Sequence, residues 1–276
     1  MTLLIISAAR SPLGQFAREF LIFGLKQAWA CLFGGAMLAL IIATKLLWQP
    51  DWALHRYDFL FLAAFVLQGL LILAKLESWQ EAKVIFLFHV VGTAMEVFKT
   101  AAGSWIYPEE AFFRLGGVPL FSGFMYACVG SYIARVTRLF DLRYSHYPPF
   151  WATVVLAVLI YINFFTHHYV VDIRIGLFAF AGVLYCRCWI YFTVDKVPRR
   201  MPLLLSTLLV AFFVWVGENV GTNSGTWAYA GQKAGWHLVS WGKLGSWFLL
   251  LFVSFVLVSL FHRPEPPNAS PLAERG

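Results

Sequence analysis

The fold class predicted is all-α, a polytopic transmembrane helical bundle, and two observations carry that prediction. Apolar residues fill 60% of 276 positions and charged residues only 13%, at a mean hydropathy of +0.71. Soluble domains average about 45–50% apolar and about 25% charged. The apolar residues also fall into runs of the length a bilayer demands, about 20 residues per helix. Soluble enzymes, coiled coils, collagen and disordered chains are excluded on the same grounds. The aromatic share of 18% suits lipid-facing walls and interfacial belts of Trp and Tyr.

Spans are expected near 27–47, 57–75, 83–101, 118–136, 149–167, 174–193, 202–220 and 242–261, about eight in all at the length a bilayer sets. Residues 1–26 hold Arg10, Arg18 and Lys26 around apolar positions and are expected to form an amphipathic cytoplasmic segment at the membrane surface. Residues 27–136 form a first four-helix repeat, 137–261 a second, and 262–276 a Pro-rich, disordered cytoplasmic tail. Thirteen Lys and Arg residues fall on the side of the termini and six on the other, so the positive-inside rule places both termini in the cytoplasm. The net charge of +7 is thereby spent on loops, and no soluble basic face for nucleic acid remains. The four cysteines all lie in apolar runs and read as structural; no zinc spacing or disulfide framework is present.

Two segments repeat at a shift of 122 residues: Glu96-Val-Phe-Lys-Thr-Ala-Ala-Gly103-Ser-Trp105-Ile-Tyr107 and Glu218-Asn-Val-Gly-Thr-Asn-Ser-Gly225-Thr-Trp227-Ala-Tyr229. The shift lays the first four spans over the last four. An even number of spans per half makes this a parallel repeat about an axis along the membrane normal, and both motifs emerge on the outer face. Ionisable residues inside a span are costly and normally face a partner or a wet cavity. Glu96 and Glu218 are therefore candidate acid and base groups. Their bland alternative is to pin their own loops through hydrogen bonds, with the Gly permitting a tight turn and Trp105, Tyr107, Trp227 and Tyr229 anchoring it. On the third span His89, Gly92, Glu96 and Lys99 share one stripe. Lys99 is expected to pair with Glu96, and His89 to relay protons or to hydrogen-bond across helices. Asn219 follows Glu218 as a further pocket candidate.

A second polar cluster, Asn163, His167, His168 and Asp172, ends the fifth span on the same side. Histidine and carboxylate are common ligands of zinc and iron, so His167, His168 and Asp172 are the candidate site for a divalent metal. Arg187 lies inside the sixth expected span, where it snorkels, holds an anionic headgroup or meets a carboxylate.

The strings MEVFKTAAGSWIYPE, GVPLFSGFMYACVGSYI, NFFTHHYVVDIR, RRMPL, ENVGTNSGTWAY and SWFLLLFVSFVLV resemble the bacterial integral membrane family of unknown function typified by the YoaT protein, from Gln80 to Leu260. That resemblance implies a bacterial inner-membrane location and supplies no activity. The Glu–Gly–aromatic–aromatic spacing alone is similar to carotenoid hydratases and related isoprenoid-modifying membrane enzymes, in which acidic residues are thought to protonate double bonds. The expected partners are membrane lipids and a lipid or isoprenoid substrate. An intramembrane enzyme using Glu96 and Glu218 is the first reading, because polar residues gather at one end of the spans. A proton- or cation-coupled transporter and a structural membrane component are the others.

Overall fold

The structure is a computed structural model and describes residues 12–49, 51–232 and 234–267. The first eleven residues of the expected amphipathic segment, Arg10 among them, and the tail beyond residue 267 lie outside the described residues.

Among the described residues nine α-helices follow one another: α1 (Pro12–Ala30), α2 (Leu32–Leu47), α3 (Arg56–Leu73), α4 (Trp79–Ala101), α5 (Phe121–Leu139), α6 (Phe150–Thr166), α7 (Arg174–Tyr185), α8 (Leu203–Asn223) and α9 (Trp241–Ser259). Eight of them stand at the eight positions expected from hydropathy. α3, α4, α8 and α9 are each long and apolar enough to cross a membrane, and α1 with α2 forms a fifth candidate, bent by 69°. α6 and α7 are shorter apolar helices, and α5 carries Arg135 and Arg138. The protein is a multi-pass helical membrane protein.

The start of α4 shows the local logic. Ser78 accepts a hydrogen bond from Glu81 N–H while Glu81 accepts from Ser78 N–H, a reciprocal capping box. α4 packs along α5 because Gly92 and Gly130 leave room for the rings of Tyr126 and Phe88. α9 runs against α5, α6 and α8. One apolar core gathers α2, α3, α4 and α5, and another gathers α6, α7 and α9. The outer faces, including Phe65, Leu73, Ile175 and Phe213, stay apolar and exposed, as a lipid-facing wall requires. α1 exposes Leu13, Phe16, Phe20 and Leu25, while Arg18 and Glu19 pair with Asp195 and Arg199 on a hairpin described next.

Four expectations are corrected. The sixth helix stops at Tyr185 instead of residue 193, and Arg187 lies in the turn after it. The run from Trp189 is a strand, because a short apolar run rich in aromatic and β-branched residues satisfies either periodicity. Three small antiparallel sheets result: β1 (Trp105–Ile106) with β7 (Ala228–Tyr229), β2 (Arg114–Leu115) with β3 (Val118–Pro119), and β4 (Arg143–Ser145) with β5 (Trp189–Thr193) and β6 (Pro198–Pro202). Next, the tail up to residue 267 is not free of the fold: Glu265 accepts from Tyr144 N–H and pairs with Arg143. Then Cys31 and Cys186 are exposed, so only Cys188 is a fully buried cysteine. Finally, Arg135, counted among the loop charges, is completely buried and paired with buried Glu77.

Candidate functional site

Both repeated motifs close their helices in the same way. At the end of α4, Gly103 has φ +73° and donates to Thr100 O while Ser104 N–H donates to Lys99 O. At the end of α8, Gly225 has φ +69° and donates to Thr222 O while Thr226 N–H donates to Gly221 O. A left-handed residue after the last turn is where glycine carries no Cβ penalty. The chain then turns so that β1 and β7 pair, Trp105 opposite Tyr229 and Ile106 opposite Ala228.

This ladder holds both carboxylates on one cavity of about 500 Å³. Glu96, 4% exposed, accepts from Trp105 Nε1 at 2.6 Å and Tyr107 Oη at 2.6 Å on one oxygen, and from Tyr126 Oη at 2.7 Å on the other. Glu218 accepts from Tyr229 Oη and from Trp247 Nε1. The two carboxylates are close enough to interact electrostatically. Burial and the adjacent Glu96 push the Tyr107 hydroxyl well above its ordinary range, and burial and Glu218 do the same for Tyr229, so both phenols keep their protons to donate.

Around the loop end of the cavity stand Lys99, Ser104, His167, His168, Arg174, Gln232, His237 and Lys243. Lys99 Nζ lies 3.0 Å from His168 Nε2 and 4.2 Å from the Phe164 ring centroid. Lys243 Nζ sits 4.1 Å from the Tyr229 centroid and 5.0 Å from that of Trp105. Desolvation, and then Lys99, hold the His168 imidazole below its ordinary pKa. Elsewhere Met125, Ile160, Leu177, Leu249 and Leu250 make the walls apolar. A separate apolar groove of about 400 Å³ opens between α7, α8 and α9, lined by Phe178, Gly182, Leu204, Leu208, Gly245 and Phe248 among others.

Ten of the thirteen expected site residues line the cavity: Glu96, Lys99, Trp105, Tyr107, Asn163, His167, His168, Glu218, Trp227 and Tyr229. Trp227 lies against Gly221, the residue that corresponds to Lys99 under the repeat, and a Cβ there would sit 2.0 Å from its ring. His89 is not among the lining residues; its ring lies 4.3 Å from that of Phe124, beside Gly123, and its Nδ1 has no hydrogen-bond partner. Asn219 holds Val239 N–H and Trp215 O instead of facing the cavity. Lys99 meets His168 and not Glu96, whose oxygens are already taken by neutral donors.

The expected metal set does not assemble. Asp172 accepts from Asn163 Nδ2 and Arg174 N–H and pairs with Arg174, His168 faces Lys99, and His167 Nδ1 contacts Asn163 O. Burial alone would raise the Asp172 pKa, but the Asn163 and Arg174 contacts outweigh it and hold it low. These are the bonds of a loop fastening. Among the described residues no three His, Cys, Asp or Glu side chains gather into a metal-holding group.

The sequence reading missed Tyr126, Trp247, Lys243 and Arg174. The last two were read as orientation charges. Tyr126 and Trp247 sit within apolar runs, where the one available signal was a polar-tipped aromatic placed inside a span, away from the interfacial belt.

A family described as "Protein of unknown function (DUF817)" matches residues 19–255. The uncharacterized protein YoaT of Bacillus subtilis (strain 168) is 42% identical over 242 residues, 88% of this chain and 91% of that protein. Crystal structures of a mycobacterial Insig homologue from Mycobacterium vanbaalenii, one of them a cross-linked trimer, align with a TM-score of 0.46 at 16% identity, over 68% of this chain and 98% of theirs.

Proposed function

The chain belongs to the DUF817 family of uncharacterised proteins, and we propose that it is an intramembrane enzyme that admits a lipid or isoprenoid to the cavity and moves protons to and from it. The observation that carries this reading is the meeting of two buried carboxylates, each hydrogen-bonded to a protonated phenol, on one aromatic-walled cavity. The two carboxylates are the acid and base groups of this reading, and the phenols, which keep their protons, hold them in place. The apolar walls of the cavity, among them Met125, Ile160, Leu249 and Leu250, suit a hydrocarbon chain. The motif-level similarity to carotenoid hydratases supports the same chemistry.

The two Glu–Gly–Trp–Tyr segments are read here as an internal repeat with an axis along the membrane normal. The strand register supports it: extended by one residue, it sets Tyr107 opposite Trp227, the pair obtained by exchanging the two segments in Trp105 opposite Tyr229. The same reading puts the cavity at the outer face of a bacterial inner membrane, with both termini cytoplasmic.

The test compares lipid extracts of cells producing the wild type with cells producing Glu218→Gln, by mass spectrometry. A lipid or isoprenoid species consumed in the first and retained in the second is expected. Identical profiles, together with a purified protein carrying no lipid, defeat the reading.

A further inference from the structure

We infer that Lys99 and Lys243 form a clamp for a phosphate group at the loop end of the cavity, beside Arg174, so that its ligand is an amphiphile bearing phosphate on an apolar chain. This rests on, and narrows, the lipid reading above. Lys99 is only 2% exposed, and a buried ammonium is costly unless a counter-charge meets it. Among the described residues neither Lys99 nor Lys243 has a carboxylate within ion-pair distance. Lys99 has a neutral imidazole and an aromatic face, and Lys243 has two aromatic faces.

The carboxylates that could have served are occupied elsewhere. Glu96 and Glu218 take indole N–H and phenol O–H donors, all uncharged. Both ammonium groups thus line one cavity without a direct ion pair; Lys99 is repelled by Lys243 and both by Arg174, while Glu218 and Glu96 draw Lys243, and Asp172 draws Lys99, only at longer range. Asp172 neutralises Arg174 at 3.2 Å. Two positive charges remain at the loop end, matching the charge of a phosphate monoester near neutral pH, about −1.5 to −2. Lysine binds phosphate as a point charge, and Ser104 and His168 beside Lys99 add polar contacts. Glu96 lies about one turn along α4 from Lys99, and Leu249 and Leu250 lie nearly two turns along α9 from Lys243, where the lining is hydrocarbon. Head and chain are thus sorted along the cavity.

The experiment measures binding of dodecyl phosphate, dodecanol and inorganic phosphate to the purified full-length protein in a non-ionic, phosphate-free detergent. Dodecyl phosphate is expected to bind at least about tenfold more tightly than dodecanol. Lys99→Met and Lys243→Met should each weaken dodecyl phosphate about tenfold and leave dodecanol unchanged. Equal affinity for the two amphiphiles, or variants without effect, overturns the clamp and leaves the lipid reading standing. Inorganic phosphate bound as tightly as dodecyl phosphate, and lost in Lys243→Met, upholds the clamp and overturns the lipid reading. No binding of any probe overturns both. If Lys99→Met does not accumulate as folded protein, Lys243→Met at its half-buried position decides alone.

Discussion

Single residues here are legible by type and misleading by position. Glu96 and Glu218 stood out because a carboxylate in an apolar run is expensive, and both proved to line the cavity. Arg135 did not stand out, because counting basic residues near span ends treats every one as a solvated loop charge. It is instead fully buried against Glu77, which also takes hydrogen bonds from Gln68 and Ser131. Removing one partner of a buried pair strands the other charge, at a cost of about 3–5 kcal/mol. Glu77→Gln should therefore lower the melting temperature in detergent sharply, and the double variant Glu77→Leu with Arg135→Leu should recover most of it. A single variant as stable as wild type would refute the pairing. His168 supplies a pH dependence. Desolvation and Lys99 hold its pKa below the unfolded value, so the unfolded chain binds the proton more readily and stability rises with pH. The melting temperature should fall as pH drops through about 6.5 and below, and the slope should flatten in His168→Gln, which cannot protonate. An unchanged slope would show that another group governs it.

At the scale of elements, helices were readable because a bilayer demands long apolar runs, while strands of two to five residues leave no comparable mark. The ladder that builds the site, β1 with β7, was hidden for that reason, although the glycines that allow it were visible. Glycine bears directly on the site at Gly221 and Gly92. A Cβ at Gly92 would lie 2.7 Å from Tyr126 Cβ, on the residue that donates to Glu96. Gly92→Ala should cost about 1–3 kcal/mol through overpacking and part Tyr126 from Glu96. The effect is checked by thermal melting and by the near-ultraviolet circular dichroism of the buried tyrosines. Gly182→Ala, where a Cβ meets nothing within 4 Å, is the control expected to leave both unchanged.

For the whole molecule, composition alone was enough to reach the class, since so few charges cannot clothe a soluble surface of this size. It could not reveal how far each helix crosses, because α7 and β5 share one apolar run. Sidedness is open to direct test. In a background with exposed Cys31 and Cys186 replaced by Ser, cysteines at exposed Glu110 and Ala234 should react with an impermeant thiol reagent on intact cells, and one at exposed Lys196 only after permeabilisation. The opposite pattern would invert the topology and move the cavity to the cytoplasmic face.

The joining of β1 to β7 has a consequence for biogenesis. Tyr57 donates to Thr226 O across 169 positions of chain, and Arg56 reaches Thr226 Oγ1 while also pairing with Glu109. While the ribosome is still making the second half, the loop after α4 is already held by Asp58, which accepts from Phe112 and Phe113 N–H, but its strand edge has no mate. The cavity closes only when α8 has been inserted and β7 emerges. A nascent chain arrested before residue 228 would carry Glu96 with its aromatic donors yet no second wall, so the site is among the last parts of the protein to exist.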